Sequence, residues 1–477
     1  MKHSVIGLAL GALVFAQSAL SKNVVLFLGD GMGISTVTAA RIFAGQQQGL
    51  PGEEYNLSFD KFENVALIKT YNINSQVSDS AGTISAILTG EKTNIGFLGV
   101  NQSVARGDCA QSLRNTLPTL AELAEQAGLA TGVVSTARIT HATPAGMYAH
   151  VPDRNWENSA TLPADAREAG CRDIAQQMIE FAHGDGLDVI LGGGRAQFMP
   201  TSEIDPEYSG SEGGSRKTGL RNDDRNLLRE WLAGAPGRKY VWNAEQFSAL
   251  KPAPGQQVLG LFEPSHMQFE ADRAKDAAGE PSLAEMTRFA IESLQHHTQG
   301  FLLLVEAGRI DHAHHFGNAY RALVDTVALS DAVAVAHEMT NPEETLIVVT
   351  ADHSHTLTIS GYPARGNPIL GKVEANPVLK TNDPVYTTLT YANGPGYQAK
   401  YPDLSDTDTE DPNYRQVSAV PLVVETHAGE DVAAYATGVN SQAVRGVMEQ
   451  NRLFHAMRDV LLAPPAESAA VQEAPGN

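Results

Sequence analysis

Short, continuous apolar runs recur along this chain, each closing on glycine or polar residues, and they alternate with stretches whose apolar positions fall three and four apart. Val24-Val25-Leu26-Phe27-Leu28 ends in Gly29-Asp30-Gly31. Thr131-Gly132-Val133-Val134-Ser135, Leu187-Asp188-Val189-Ile190-Leu191, Phe301-Leu302-Leu303-Leu304-Val305 and Thr345-Leu346-Ile347-Val348-Val349-Thr350 repeat the pattern. Between them, Leu283, Met286, Phe289, Ala290 and Leu294 share one face of a helix. Short apolar strands separated by helices predict an α/β fold, a large mainly parallel central sheet with helices on both faces. Ligands of such sheets gather beyond the carboxyl ends of the strands. Asp30, Glu306, Asp352 and His353 all follow directly from such runs.

Two stretches break the rhythm. Residues about 196–224 are rich in Gly, Ser, Pro and charge and read as a long surface excursion. Residues about 362–424 are rich in Pro, Gly and Asn, with one strand-like piece, Val385-Tyr386-Thr387-Thr388-Leu389-Thr390. Following so soon after Asp352-His353, this second stretch predicts a subdomain beside whatever those residues bind. There is no internal repeat and no long linker, so residues 22–477 read as a single domain with an insert at about 362–424.

The strongest chemical signals lie just past two of the runs. Glu306, Asp311, His312, His314 and His315 follow one, and Asp352, His353 and His355 follow the other. Carboxylates mixed with imidazoles suit borderline-soft divalent ions such as zinc. Asp311 and His315 stand four apart, so a helix starting near Ile310 puts both on one face. Asp30, between two glycines, sets a carboxylate on a tight turn.

Three further groups are weaker when taken singly. Ser80, in Val77-Ser78-Asp79-Ser80-Ala81-Gly82, opens a small-residue helix whose unpaired N–H groups favour a phosphate or oxyanion, although an ordinary capping serine looks the same. His141-Ala142-Thr143-Pro144 and Arg154 follow another strand, and an arginine fork holds two phosphate oxygens at once. His427 adds an imidazole beyond the insert, in Glu425-Thr426-His427-Ala428-Gly429-Glu430-Asp431.

A hydrophobic content of 42% over 477 residues supports a full core. The formal net charge of −21 argues against nucleic acid as a dedicated partner. It leaves room for a phosphate-bearing substrate wherever metal ions dominate the local field. Met1-Lys2-His3, the apolar stretch Val5 to Ala16 and the small residues of Ala19-Leu20-Ser21 predict an export signal, residues 1–21, cleaved before Lys22. That apolar stretch is shorter than the ~20 residues of a spanning helix. The tail from Ala463-Pro464-Pro465 to Asn477 lacks the hydrophobic segment of a lipid-anchor signal. The expectation is an exported protein, periplasmic or secreted, with no membrane anchor. Cys109 and Cys171 are its two cysteines, a count that permits a disulfide without establishing that the two meet.

Read in order, several of these segments together resemble alkaline phosphatase. They are Gly29-Asp30-Gly31-Met32-Gly33, Asp79-Ser80-Ala81, Ala142-Thr143-Pro144-Ala145, Val305-Glu306 with Ile310-Asp311-His312, Thr350-Ala351-Asp352-His353-Ser354-His355, and Thr426-His427-Ala428-Gly429-Glu430-Asp431. The likeness runs from about residue 22 to about residue 462. It implies the alkaline phosphatase-like fold with a small crown-like insert, a homodimer, and hydrolysis of small phosphate monoesters through a covalent phosphoserine. It also implies two zinc ions and one magnesium. By matching position, Asp311, His315 and His427 hold the first zinc, and Asp30, Asp352 and His353 the second. Asp30, Thr143 and Glu306 hold magnesium. Ser80 is the implied nucleophile and Arg154 the phosphate clamp, oriented by Asp79. His355 is implied to support a ligand rather than to be one.

His141 and His312 stand where some members of that family carry Asp and Lys, which resembles the branch containing the animal enzymes. Neutral imidazoles there would support the third metal from the side and leave it open to zinc as well as magnesium. The same branch pairs Cys109 with Cys171 and implies a calcium site from Glu207, Glu263, Glu280 and the backbone of Phe262, with Glu280 in place of the usual aspartate. The rival readings are a phosphodiesterase of the same fold group and a non-catalytic metal- or phosphate-binding protein. A sulfatase is excluded, because it needs Pro and Arg two and four residues after its nucleophile, where this chain has Gly82 and Ile84.

Overall fold

The apolar runs pair edge to edge into a ten-stranded sheet. The structure is a computed structural model and describes residues 22–209, 217–373 and 385–462. The expected export signal, residues 1–21, and the tail beyond Leu462 lie outside the described residues. In chain order the strands are β1 (Asn23–Gly29), β2 (Asn64–Lys69), β3 (Ala130–Arg138), β4 (Val189–Gly193), β5 (Lys239–Val241), β6 (Val258–Leu261), β7 (Phe301–Ala307) and β8 (Thr345–Ala351). They continue with β9 (Ser354–His355), β10 (Leu357–Ile359), β11 (Leu389–Gly394), β12 (Ser418–Pro421), β13 (His427–Ala428), β14 (Val432–Gly438) and β15 (Gly446–Glu449).

The large sheet has the order β15-β2-β14-β8-β1-β7-β3-β4-β6-β5. Every neighbouring pair from β8 to β5 is parallel. Only β14 runs against its neighbours, β8 and β2. Helices Ile34–Gln47, Leu283–Leu294 and Ala319–Met339 pack together as one layer, and Ser80–Thr89, Leu120–Gln126 and Arg452–Leu461 as another. Between these layers β1, β7 and β8 are buried at every residue, which is why they read as unbroken apolar runs rather than alternating ones. Each fully buried Leu, Ile or Val there contributes roughly 1.5–3 kcal/mol of transfer free energy.

Register then decides where the chemistry emerges. Leu28 lies opposite Glu306 on β7 and Thr350 on β8, and Glu306 lies opposite Ser135 on β3. The carboxyl ends of the strands are therefore level, and Asp30, Glu306 and Asp352 leave the sheet side by side.

Two expectations need correction. Residues about 196–224 are not merely a surface excursion. Arg195 and Arg221 are fully buried at the two ends of this stretch. Arg195 donates to both oxygens of Asp205 at 2.7 Å and to Glu207 at 2.8 Å, while Arg221 grips Asp173 at 2.9 and 3.0 Å. Bidentate pairing lets polar composition enter the interior, so composition alone misleads here. In the insert, the strand is Leu389–Gly394 rather than Val385–Thr390. It pairs antiparallel with β10 from Leu389 onward, so the cross-strand partner and not the β-branched run sets its start. β12 joins β11 in parallel to complete a three-stranded sheet. Cys109 and Cys171 form a disulfide with Cα atoms 5.9 Å apart.

Near the start of β3, Thr131 joins two buried acids. Its Oγ1 donates to Glu125 at 2.5 Å and its N–H to Asp188 at 2.9 Å. Burial pushes the Glu125 carboxyl up to about 8 and that of Asp188 up to about 7. A carboxyl whose folded value lies above its unfolded one binds extra protons in the folded state. Stability therefore falls as pH rises from ~4.3 through the folded value. Glu125→Gln is expected to flatten this slope and to stabilise the protein by roughly 1–2 kcal/mol at pH ~9, read by denaturant unfolding across the pH range. A variant that tracks the parent at every pH would count against the assignment.

Candidate active site and metal centre

Each side chain is delivered by the end of a regular element. Asp30 follows β1, and Gly31 behind it has φ 68°. A Cβ on Gly31 would lie 2.3 Å from the His355 ring, so both space and backbone geometry require glycine there. The freed Gly31 N–H donates to Asp352 Oδ1 at 2.9 Å, tying the ends of β1 and β8 together. Helix Arg309–His315 begins just after β7 and presents Asp311 and His315 from one face, as the spacing predicts.

Ser80 is the first residue of helix Ser80–Thr89. Asp79 caps that helix, its Oδ1 accepting from Gly82 N at 3.1 Å and Gly96 N at 2.9 Å. Its Oδ2 accepts from Arg154 Nη1 at 3.1 Å, so one carboxylate fixes both the helix start and the guanidinium. The other end of the guanidinium, Nη2, stands 3.1 Å from His141 Nε2. Ser80 Oγ lies 3.5 Å from Asp30 Oδ1 and 3.3 Å from His353 Nε2.

Three groups at this end of the sheet bring ligand atoms within 4.8 Å of one another: Asp311, His315, His355 and His427; Asp30, Asp311 and His353; and Asp30, His141 and Glu306. In the first group Asp311 Oδ1 is 2.7 Å from His355 Nε2, 3.3 Å from His427 Nε2 and 3.4 Å from His315 Nε2. His315 Nδ1 donates to the Glu425 carbonyl at 2.5 Å and His427 Nδ1 to the Ser78 carbonyl at 2.8 Å. Both rings thereby turn Nε2 towards Asp311, the tautomer a metal requires. His355 differs, because both its nitrogens are engaged, by Asp311 and by Glu425. That leaves it no lone pair for a metal. In the second group His353 Nε2 sits 3.5 Å from Asp30 Oδ1, and Asp352, outside that group, brings its Oδ2 to 3.1 Å from the same nitrogen.

The electrostatics describe a site built for cations. Burial, then the Asp352, Asp311 and Glu306 carboxylates, push the Asp30 carboxyl well above its usual range. Burial likewise raises Asp352, and raises Glu306 to about 7. Burial holds His353, His315, His141 and His312 below the usual imidazole value, which keeps them neutral. Asp311 is the exception: burial would raise it, but His315, His355 and His427 hold it well below. His355 is pushed up to about 10, since Glu425 and Asp311 outweigh its burial. Asp30 Oδ2, Asp352 Oδ2, Thr143 Oγ1, Glu306 Oε1 and His141 Nδ1 are all buried without a hydrogen-bond partner. Orphaned buried acceptors at one place are costly unless a cation satisfies them. The residues present therefore fit divalent metals.

The sequence reading missed several participants. Ser135 donates from its Oγ to Glu306 Oε2; it could have been found, because it closes the apolar run Thr131–Ser135 as Glu306 closes its own, and the two lie opposite each other in the sheet. His266 packs its ring 4.0 Å from that of His312 and 5.3 Å from that of His141. Nothing in the sequence near it signals this. Away from the site, Glu207 and Glu263 gather with Asp276, and Glu280 lies beside Glu263, the two carboxylates sharing Gln268. Glu280 accepts from Gln268 N at 2.9 Å through Oε1, its Oε2 is buried without a hydrogen-bond partner, and burial followed by the Glu263 carboxylate pushes it up to about 9. Phe262 is fully buried beside Glu263.

Comparison with known proteins gives this arrangement its class. The family described as Alkaline phosphatase matches residues 21–463. The chain is 44% identical to alkaline phosphatase of Gadus morhua over 442 residues, covering 92% of this chain and 91% of that protein. It is 45% identical to the tissue-nonspecific isozyme of alkaline phosphatase of Gallus gallus over 444 residues, covering 92% and 84%. Among solved structures, alkaline phosphatase of Thermus thermophilus superposes with a TM-score of 0.65 at 23% identity, covering 95% of each chain. That of the Antarctic bacterium TAB5 gives 0.63 at 22%, covering 93% and 98%. The chain belongs to the alkaline phosphatase family. It is a phosphatase with metal cofactors, and among the described residues no helix is long and apolar enough to cross a membrane.

Proposed function

We propose that the protein hydrolyses phosphate monoesters through a phosphoserine on Ser80, with Arg154 clamping the phosphoryl oxygens. The observation that carries this is the placement of Ser80 Oγ, 3.3 to 3.5 Å from His353 and Asp30, at the start of a helix whose cap also holds Arg154. Asp311, His315 and His427 would hold one zinc, and Asp30, Asp352 and His353 the other. Asp30, Thr143 and Glu306 would hold magnesium, with His141 as a fourth donor drawn in by its orphaned Nδ1. When bound, such ions neutralise a phosphate dianion, favour the ionised serine and stabilise the leaving alkoxide.

The chain's own residues then divide the remaining work. Asp30 faces the Ser80 hydroxyl, in position to receive its hydrogen bond before attack. The helix N-terminus turns its unpaired N–H groups towards the negative charge that Ser80 acquires. Arg154, fixed by Asp79, meets two non-bridging oxygens with a planar fork. Arg154→Ala is expected to lower kcat/KM by ~10–100-fold, largely through KM, with Arg154→Lys recovering part, because one charged hydrogen-bonding arm is worth about 1.5–3 kcal/mol. Steady-state kinetics on a monoester check this; equal loss in both variants would argue against bidentate clamping.

The same reading includes a homodimer, export by the leader, and a calcium ion held by Glu207, Glu263 and Glu280 with the backbone of Phe262, with Asp276 close enough to join them. A panel of a monoester, a diester and a sulfate ester, run on protein whose metals have been counted, tests the function directly. The expected result is dominant monoester turnover with zinc and magnesium bound. Dominant diester turnover, or no turnover with the metals in place, would sink the proposal.

A further inference from the structure

Glu425 stands just before β13 and is fully buried. Its backbone exchanges two hydrogen bonds with His315: its carbonyl accepts from the ring Nδ1 at 2.5 Å, and its N–H donates to the His315 carbonyl at 3.0 Å. Its carboxylate meets His355 Nδ1 at 2.5 Å through Oε2 and accepts from Thr356 N and Oγ1 at 2.7 and 2.6 Å through Oε1. His355 passes the restraint on, with Nε2 2.7 Å from Asp311 Oδ1. Behind Glu425, Gly394 at the end of β11 leaves no slack, since a Cβ there would lie 2.9 Å from the Glu425 Cβ. The crown-like insert thus presses against this one residue, and the residue reaches two of the three side chains read as ligands of one zinc.

We infer that Glu425 is a positioning residue for the Asp311–His315–His427 metal site, its carboxylate orienting Asp311 through His355 and its carbonyl orienting the His315 ring. The inference rests on the reading of those three side chains as ligands. Partners behind a ligand fix its direction and basicity, and losing one costs ~10–100-fold in metal affinity. A side-chain substitution leaves the carbonyl arm intact, so it reports on the carboxylate arm alone.

The test is zinc competition against a chromophoric chelator, on the intact protein, for Glu425→Ala, Glu425→Gln and His427→Ala. In Glu425→Ala one zinc per chain is expected to bind ~10–100-fold more weakly while the other is unchanged, and activity should return as free zinc is raised. A residue serving only the fold would lower the melting temperature without that selective, zinc-reversible loss. In Glu425→Gln the amide oxygen still accepts from His355, but its NH₂ faces the Thr356 donors, so a loss of about threefold is expected. Wild-type zinc affinity in folded Glu425→Ala overturns the inference; should that variant not fold, wild-type affinity in Glu425→Gln does so. His427→Ala separates the two levels. Retention of both zincs there would overturn the ligand reading itself, whereas loss there with retention in the Glu425 variants overturns the positioning role alone.

Discussion

Replacing Ser80 by alanine is expected to abolish covalent labelling by radiolabelled phosphate and to lower kcat by at least ~10³-fold. The Ser80 hydroxyl stands beside the clusters of ligand atoms, 3.5 Å from Asp30 and 3.3 Å from His353, and the Arg154–Asp79 pair is fixed at the cap of its helix. Alanine is a good helix former and Ser80 is a helical residue capped by Asp79, so the variant should fold as the parent does. The loss would then report chemistry rather than stability. Acid-quenched protein carrying equal label with and without Ser80 would mean that another side chain takes the phosphoryl group.

Removing the metals should have the second largest effect. Chelation is expected to cut activity by at least ~10³-fold, and zinc together with magnesium to restore it. Stability should change as well, and in a pH-dependent way. In the stripped protein Glu306, pushed up to about 7, keeps a proton that the unfolded chain releases near ~4.3. Its contribution is fully present below ~4.3 and is lost as pH rises through about 7. Asp311 has the opposite sign, but its folded value is depressed, so its window lies below ~3.9 and does not overlap. The buried His353, His315, His141 and His312, held below the usual imidazole value, act in the opposite sense up to ~6.5, so the Glu306 contribution is read as a difference: across this range the stripped parent should lose thermal stability relative to stripped Glu306→Gln. Full activity after thorough stripping, or no such difference, would refute the account.

Much of this was legible in the sequence, for physical reasons. Strands buried on both faces must be apolar throughout, so β1, β7 and β8 announced themselves, and the acids ending them were already at the correct edge. Four-residue spacing placed Asp311 and His315 together because helical geometry is local. What could not be read was whatever depends on partners far along the chain. His355 and His353 look alike in sequence, yet Glu425 occupies one ring nitrogen of His355 and Asp311 the other. Arg195 and Arg221 sit in polar stretches, and only distant carboxylates make their burial tolerable. Asp276 joins Glu207 and Glu263 through the course of a loop that no periodicity describes.

The level strand ends, from Asp30 after β1 to His427 at β13, also set an order of events during the protein's maturation. No single segment of the chain contains a complete set of ligands, so a growing or partly folded chain offers an ion at most two or three loosely held donors. Tight loading must follow closure of the sheet, after β1 has taken its place between β7 and β8 and β13 has paired with β9. Which ion fills the site is then decided by the metals present when folding finishes, and not by those present while the chain was being made.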